Sequence, residues 1–421
     1  MTLIMSLVGM ATLIAIALLF SVNRRAIRMR TVVGAFVIQA GLGAFVLYVP
    51  FGQAVLATVS EAVSQVVTYA NDGIDFLFGK LANTDEVGFV FAIKVLPVII
   101  FFSSLTAVLY YLGIMQWIIR LLGGALQKAL GTSRTESLSA TANIFVGQTE
   151  APLVVRPFIN RMTKSQLFAV MCGGLASVAG SVLAGYAALG IPMEYLVAAS
   201  FMAAPGGLLF AKLIMPETET PNDSVSTAEQ ELEAEDQPSN VLDAAASGAS
   251  SGLRLAANVG AMLLAFIGMI ALLNGILGGV GGWFGMESLS LEQILGWLFA
   301  PLAFLLGIPW SEATLAGSFI GQKLVVNEFV AYINLAPYIS GEEVVAATGE
   351  AMTTHTKAVL SFALCGFANL SSIAILLGGL GSIAPSRRHE IAQFGIRAVL
   401  AGTLSNLMSA TLAGFFIALG A

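Results

Sequence analysis

Charge is the scarcest commodity in this chain. Asp, Glu, Lys and Arg together make up 10% of its 421 residues, against 57% hydrophobic residues, less than half the charge of an ordinary soluble domain. So few charges cannot cover a water-facing surface of this size, which excludes a set of soluble domains and leaves apolar runs facing lipid and one another. Two cysteines, Cys172 and Cys365, both inside apolar runs, exclude a disulfide framework and a zinc site. Two histidines, His355 and His389, lie near the ends of apolar segments and read as interfacial residues, so metal catalysis has no visible ligands. There is no Walker lysine, Ser-His-Asp arrangement or His-Glu-x-x-His, and no soluble stretch is long enough for a nucleotide-driven motor. An enzyme is not expected. The formal net charge of -6 comes from the acidic stretch Glu217–Asn240, which contains no Lys or Arg. Outside it the chain is close to neutral, so nucleic-acid binding has no electrostatic basis. The stretch itself is expected to be a disordered connector.

What is present is a series of apolar runs of bilayer length. A helix of about 20 residues crosses the hydrocarbon core, and the sequence predicts spans near 3–22, 31–49, 89–113, 166–190, 194–214, 253–278, 358–383 and 391–419. The first run is too long for a signal peptide, and Arg24, Arg25, Arg28 and Arg30 follow it rather than precede it. They place that end in the cytoplasm and Met1 outside.

Two further apolar stretches, about 135–160 and 311–334, carry ionisable groups at their middle: Glu150 in the first, Lys323 and Glu328 in the second. A single crossing by 135–160 would put Arg134 on one side and Arg156, Arg161 and Lys164 on the other. A segment that enters and returns makes Arg120, Lys128, Arg134, Arg156, Arg161, Lys164, Lys212, Arg254, Arg387 and Arg388 all cytoplasmic, leaving Lys80, Lys94, Lys323 and Lys357 at outer-side or outward-opening positions, which satisfies the positive-inside bias far better. Thr135 to Gly147 is about 18 Å of helix, enough to reach mid-bilayer and no further. The tip Gly147-Gln148-Thr149-Glu150-Ala151-Pro152 then supplies Gly and Pro where a turn is needed. By the same argument 311–334 is a hairpin entering from the other side.

The halves echo one another. Phe145-Val146-Gly147-Gln148 recurs as Phe319-Ile320-Gly321-Gln322, and Phe168-Ala169-Val170-Met171-Cys172-Gly173 recurs as Phe362-Ala363-Leu364-Cys365-Gly366 with one deletion. Each unit is a hairpin followed by a span interrupted by small and polar residues. The acidic linker and one span separate the units, so they meet the membrane in opposite orientation. Inverted repeats with broken helices are the architecture of secondary transporters, with the site where the repeats meet. A charge at mid-bilayer costs at least about 2.5–3.5 kcal/mol, so Glu150 and Glu328 are expected to be buried acids facing water, ligand or partner. Around them cluster Asn143, Gln148, Thr149, Ser177 and Ser181 in the first unit, and Asn327, Asn369, Ser371 and Ser372 in the second. Amides and carboxylates suit a neutral ligand with many donors and acceptors, such as a sugar ring plus a heterocycle. Phe367 could supply an aromatic face for it, although a Phe in an apolar span taken alone reads as a packing residue. Local unwinding at Ala176–Ser181 and Gly366–Ser372 would free carbonyls able to replace the hydration shell of Na⁺.

The stretches Asn143–Leu153, Asn327–Tyr332 (Asn-Glu-Phe-Val-Ala-Tyr) and Cys365–Ser372 resemble the signatures of concentrative nucleoside transporters, and the resemblance extends over essentially the whole chain. It implies an all-α polytopic membrane protein with about eight transmembrane helices, two re-entrant helical hairpins, inverted repeats, and scaffold and transport domains. It further implies a homotrimer importing nucleosides such as uridine by Na⁺ symport, with an elevator-type movement, in a bacterial inner membrane with both termini periplasmic. The domain division expected is 1–118 N-terminal spans, mainly scaffold; 119–214 first transport repeat; 215–244 acidic cytoplasmic linker; 245–300 scaffold span and external helix; 301–421 second transport repeat. Carried over by motif, Gln148, Thr149 and Glu150 address the base with Val182 packed near it, while Glu328, Asn369 and Ser372 hold the ribose hydroxyls beside Phe367. The Na⁺ ligands are Asn143 and Ser177 by side chain and Val146 and Val178 by carbonyl; no other cofactor is implied. Proton-coupled members exist, so proton symport is the alternative, with a passive facilitator or channel behind it.

Overall fold

The computed structural model describes residues 2–221, 238–286 and 289–420. Helices α1 (Thr2–Leu19) and α2 (Met29–Leu47) are followed by α3 (Pro50–Phe78) and α4 (Leu96–Tyr111). Then comes a unit made of α5 (Ile114–Leu130), α6 (Arg134–Ala142), a 3₁₀ arm (Ala151–Arg161), α7 (Lys164–Ala176), α8 (Gly180–Ala188) and α9 (Met193–Ile214). After α10 (Val241–Gly282) the same order returns: α11 (Leu291–Leu305), α12 (Trp310–Val325), α13 (Glu328–Ser340), α14 (Thr354–Leu364), α15 (Ser372–Gly378), α16 (Leu380–Ile383) and α17 (Arg388–Gly420). In each unit a leading helix lies along a hairpin, and the hairpin precedes a broken span and an unbroken one. Seven of the described helical spans are long and apolar enough to cross a bilayer. The eighth expected span, 358–383, is α14–α16, interrupted in its middle.

Side-chain chemistry sets where these elements begin. Ser133 and Glu136 form a capping box at the start of α6, and Thr163 and Gln166 another at α7. Asn240, Ser290, Asn327 and Thr353 cap α10, α11, α13 and α14 by accepting a backbone N–H, each satisfying a donor that the helix leaves orphaned. Between α11 and α12 the chain folds back by 116°. Gly307 at φ +96° makes that corner, where a side chain would also strike Ser6.

Contacts sort the elements into two ends. At one, Val22 N–H donates to the Ile214 carbonyl (2.9 Å), Lys212 pairs with Glu136, Thr163 donates to Glu217 (2.8 Å), and Arg387 donates to the Ile159 and Met162 carbonyls (3.1 and 2.8 Å). The start and finish of the first hairpin therefore share an end, as the distribution of Arg and Lys predicts. At the other end Gly9 packs on Leu305, Thr353 donates to Glu312 (2.9 Å) and His355 meets the Gly414 carbonyl (3.2 Å). Three crossings, α7–α8, α9 and α10, separate the first unit's start from the second's. An odd number inverts the second unit.

The core sits where the units interleave. The span α7–α8 and helix α9 each bury 94% of their most apolar window, whereas α10 buries 6% of its own. Helix α10 is longer than the expected 253–278 because its Ser-, Gly- and Ala-rich first turns are too polar to register as a span. Those small residues serve a crossing instead: a Cβ on Gly248 would lie 2.6 Å from Ala107, and one on Gly252 2.8 Å from the Ile100 Cα, so only glycine lets α10 pass this close to α4. The first turn of α10 takes up residues 241–244 of the expected acidic linker, and 222–237 of that linker lie outside the described residues. Helix α3 was not among the expected spans. Glu61, Asp72 and Asp75 interrupt its apolar spacing, making it an amphipathic rather than a spanning pattern.

Candidate functional site

The chemistry gathers where two helices are broken. Helix α7 ends at Ala176, Ser177 to Ala179 are extended, and α8 resumes at Gly180. In the second unit α14 ends at Leu364 and α15 begins at Ser372. Each break lies near the middle of its span. Breaking a helix there strands N–H and C=O groups that lipid cannot satisfy, so the structure must pair them internally. Each hairpin does so for its own unit: Gly180 N–H donates to the Phe145 carbonyl (3.0 Å), and Leu370 N–H to the Leu324 carbonyl (3.1 Å). The two breaks also join each other, through Phe367 N–H and the Ser177 carbonyl (3.1 Å). Asn406 of α17 spans the seam, its amide donating to the Ala176 carbonyl (2.6 Å) and the Cys365 carbonyl (3.0 Å).

Glu328 is the first residue of α13, buried, at a helix N-terminus where the macrodipole favours negative charge. Its carboxylate accepts from the Tyr186 hydroxyl of the first unit (3.1 Å) and from the Asn369 amide of the second (2.9 Å). Asn369 in turn accepts from Ser371 Oγ (2.7 Å) and Ser372 N–H (2.9 Å), while Ser372 Oγ donates to the Phe367 carbonyl (2.6 Å). Glu328, Asn369, Ser372 and Phe367 thus form one hydrogen-bonded group, held to the first unit by Tyr186.

On the opposite side of the seam lies a second polar group. Asn143 is buried and donates to the Ser139 carbonyl (2.9 Å), but its Oδ1 has no donor. Gly173 allows this approach: a Cβ there would lie 3.1 Å from the Asn143 amide nitrogen. Ser177 Oγ donates to the Gly173 carbonyl (2.9 Å), leaving its lone pairs unused. Among the described residues the carbonyls of Val146 and Val178 receive no backbone N–H beyond regular helix. A buried acceptor without a donor costs about 1–3 kcal/mol. A hard cation, which takes only oxygen lone pairs, fits this set.

The remaining expected residues divide. Gln148 is buried against Gly174, its Oε1 without a donor. Val182 is buried in the first turn of α8. Thr149 packs beside Gly379 at the α15–α16 joint, which brings the first hairpin's tip against the second unit. Glu150 departs from the expectation of two buried acids. It is exposed, its carboxylate over Gly147, and does not join the Glu328 group. It turns out just ahead of the 3₁₀ arm, and a carboxylate to which no described residue donates keeps its water. The sequence reading did not single out Tyr186 or Asn406. An amide inside a long apolar span is the signal that would have found Asn406.

A polytopic all-helical protein with two hairpins, two broken spans and a polar cluster at their junction has the architecture of a secondary transporter. Residues 195–414 match a family model described as Na+ dependent nucleoside transporter C-terminus, residues 8–81 its N-terminal counterpart, and residues 92–193 a model described as Gate, nucleoside recognition. The nucleoside permease NupC of Helicobacter pylori is 56% identical over 421 residues, covering 99% of this chain and 98% of that protein. Human solute carrier family 28 member 3 is 38% identical over 411 residues, covering 96% of this chain and 59% of that protein. The solved structure of CNTnw in an inward-facing substrate-bound state superimposes with a TM-score of 0.95 at 60% identity, covering 100% of this chain and 99% of that one. A doubly substituted CNTnw in an outward-facing state gives 0.93 at 59% identity, with the same coverage. The chain belongs to the concentrative, Na⁺-dependent nucleoside transporter family and is a nucleoside transporter.

Proposed function

We propose that this protein imports nucleosides such as uridine across a bacterial inner membrane by Na⁺ symport. The observation that carries the reading is the pair of polar groups on either side of one seam. One is a donor-starved set of oxygens at the first break (Asn143 Oδ1, Ser177 Oγ, the Val146 and Val178 carbonyls). The other is a carboxylate–amide–hydroxyl group (Glu328, Asn369, Ser372) at the second. The Ser177 carbonyl bonded to Phe367 N–H joins them directly.

In this reading Na⁺ at the first break fixes the tip of the first hairpin. Gln148, Thr149 and Glu150 then face the base, with Val182 beside it. Glu328 and Asn369 exchange their mutual hydrogen bond for the ribose hydroxyls, joined by Ser372, with Phe367 alongside. A carboxylate suits adjacent hydroxyls because it accepts from both. Each ligand completes hydrogen bonding on its own side of a shared wall, so binding of one favours the other, and the effect is reciprocal. The hairpins are re-entrant, and the tightly interleaved units move as an elevator-like transport domain against a scaffold that includes α3, α4 and α10. The outer faces of these helices, with Phe76, Leu264 and Leu272 exposed, are available to lipid and to the neighbouring copies of a homotrimer. With Arg24 to Arg30 cytoplasmic, both termini are periplasmic.

Accumulation of radiolabelled uridine in proteoliposomes under separately imposed Na⁺ and H⁺ gradients tests the proposal. Concentrative uptake driven by Na⁺ alone is the expected result. Accumulation that follows the pH gradient without Na⁺ would replace the ion, and equilibration without accumulation would make the protein a facilitator.

A further inference from the structure

Lys323 is a buried charge at the seam to which this reading gives no task. It stands in the second hairpin where the repeated Phe-x-Gly-Gln motif places Thr149 in the first, and it is buried, with only 3% of its surface exposed. Among the described residues it has no ion-pair partner. Its ammonium donates instead to two neutral oxygens, the Ala363 carbonyl and Asn406 Oδ1, each at 2.7 Å.

Both acceptors belong to the broken spans. Ala363 lies in the last turn of α14, whose final carbonyls lose their helical donors where the chain leaves the helix at Cys365. Helix C-termini carry partial negative charge, and a cation there is stabilised. Asn406, with its oxygen held by Lys323, turns its amide N–H groups to the Ala176 carbonyl at the end of α7 and to the Cys365 carbonyl at the end of α14. The arrangement is tight, since a Cβ on Gly366 would lie 2.2 Å from Asn406 Oδ1. One buried charge thereby orients an amide that ties both helix ends together. Among the described residues the first unit has no such charge at its break, and it is there that Asn143 Oδ1 has no donor.

We propose that Lys323 is a tethered cation: its ammonium does at the second break what a bound coupling ion does at the first, and through Asn406 it holds the seam in the geometry that binds nucleoside. It is a positioning residue, acting on the ligand through α14, Asn369 and Asn406. The idea rests on the Na⁺ reading for the comparison between units, but the role of the ammonium can be measured separately.

The test uses the full-length protein in detergent, with uridine binding measured at saturating Na⁺. Lys323→Ala should weaken binding at least tenfold, and millimolar propylammonium should restore it several-fold where neutral 1-propanol does not. Lys323→Met, which fills the same space without charge, should be weakened alike and should not respond to propylammonium. Wild-type affinity in either variant would overturn the proposal. So would equal rescue by the alcohol, or no rescue of an alanine variant that elutes at the size of the native oligomer. Should the alanine variant not fold, Lys323→Gln keeps a donor without charge. A tenfold loss there supports the need for charge, and native affinity refutes it. If the unsubstituted protein binds uridine equally well without Na⁺, the coupling-ion reading fails while the propylammonium comparison remains decisive for Lys323.

Discussion

Glu328 shows how a single buried residue joins helix electrostatics to a hydrogen-bonded network across two units. It sits at the N-terminus of α13, accepts from Tyr186 and Asn369, and belongs to a Phe-Val-Ala-Tyr-flanked motif visible in the sequence. A hydrogen bond to a charged group contributes about 1.5–3 kcal/mol, so Glu328→Gln, nearly isosteric but neutral, should raise the uridine concentration for half-maximal uptake by roughly 10–150-fold. The elution volume in size-exclusion chromatography should match that of the unsubstituted protein. Unchanged uptake kinetics would remove Glu328 from the ligand. Glu150, an equally prominent acid in the sequence, teaches the opposite lesson. Its type and motif could be read in advance, but its exposure depended on which donors the folded chain brought near it, and among the described residues no hydrogen bond to its carboxylate forms.

At the scale of elements, hydropathy located the uninterrupted spans, while their ends and breaks were set by groups that hydropathy averages away. Ser133, Thr163, Asn327 and Thr353 decide where helices start through side-chain oxygens. Gly248 and Gly252 extend α10 well past its apolar run because α4 needs a smooth surface to cross. Gly252→Leu should force these helices apart. Overpacking costs about 1–3 kcal/mol or more where backbone is the obstacle, so a fall of several degrees in the midpoint of thermal unfolding in detergent is expected. A midpoint equal to wild type would show that the contact is not close in the native protein. The hairpins were legible from the charge rule and from Gly and Pro at the first tip. The pairing of each hairpin with its own broken span was not, since hydrogen bonds such as Gly180 to Phe145 and Leu370 to Leu324 involve backbone atoms that every residue has.

Over the whole molecule, sidedness is fixed by polar contacts at two ends. Lys212 at the close of α9 pairs with Glu136 and donates to Ser165 (2.7 Å), locking the entrance of the first hairpin to the first unit's last span. All three side chains are buried. Removing one member of a buried pair strands the other charge, at a cost of about 3–5 kcal/mol. Lys212→Met should therefore unfold at a markedly lower temperature than wild type. The double variant Lys212→Met, Glu136→Gln should recover much of that loss, as read in the same melting experiment. No recovery would mean that the lysine acts through packing or through its second carboxylate neighbour, Glu217, 3.9 Å away.

The sequence by itself determined that the protein is an all-helical, polytopic membrane protein, where its long apolar helices lie, and which family it belongs to. Those follow from composition, from the cost of charge in lipid, and from motifs that are contiguous along the chain. Tertiary structure alone decided which orphaned oxygens gather on the first unit's side of the seam, that Tyr186 and Asn406 reach over from other helices to hold it, and that the Lys323 ammonium meets the Ala363 carbonyl and Asn406 Oδ1 there. Such contacts join residues up to 230 positions apart, and no local pattern records a neighbour that distant.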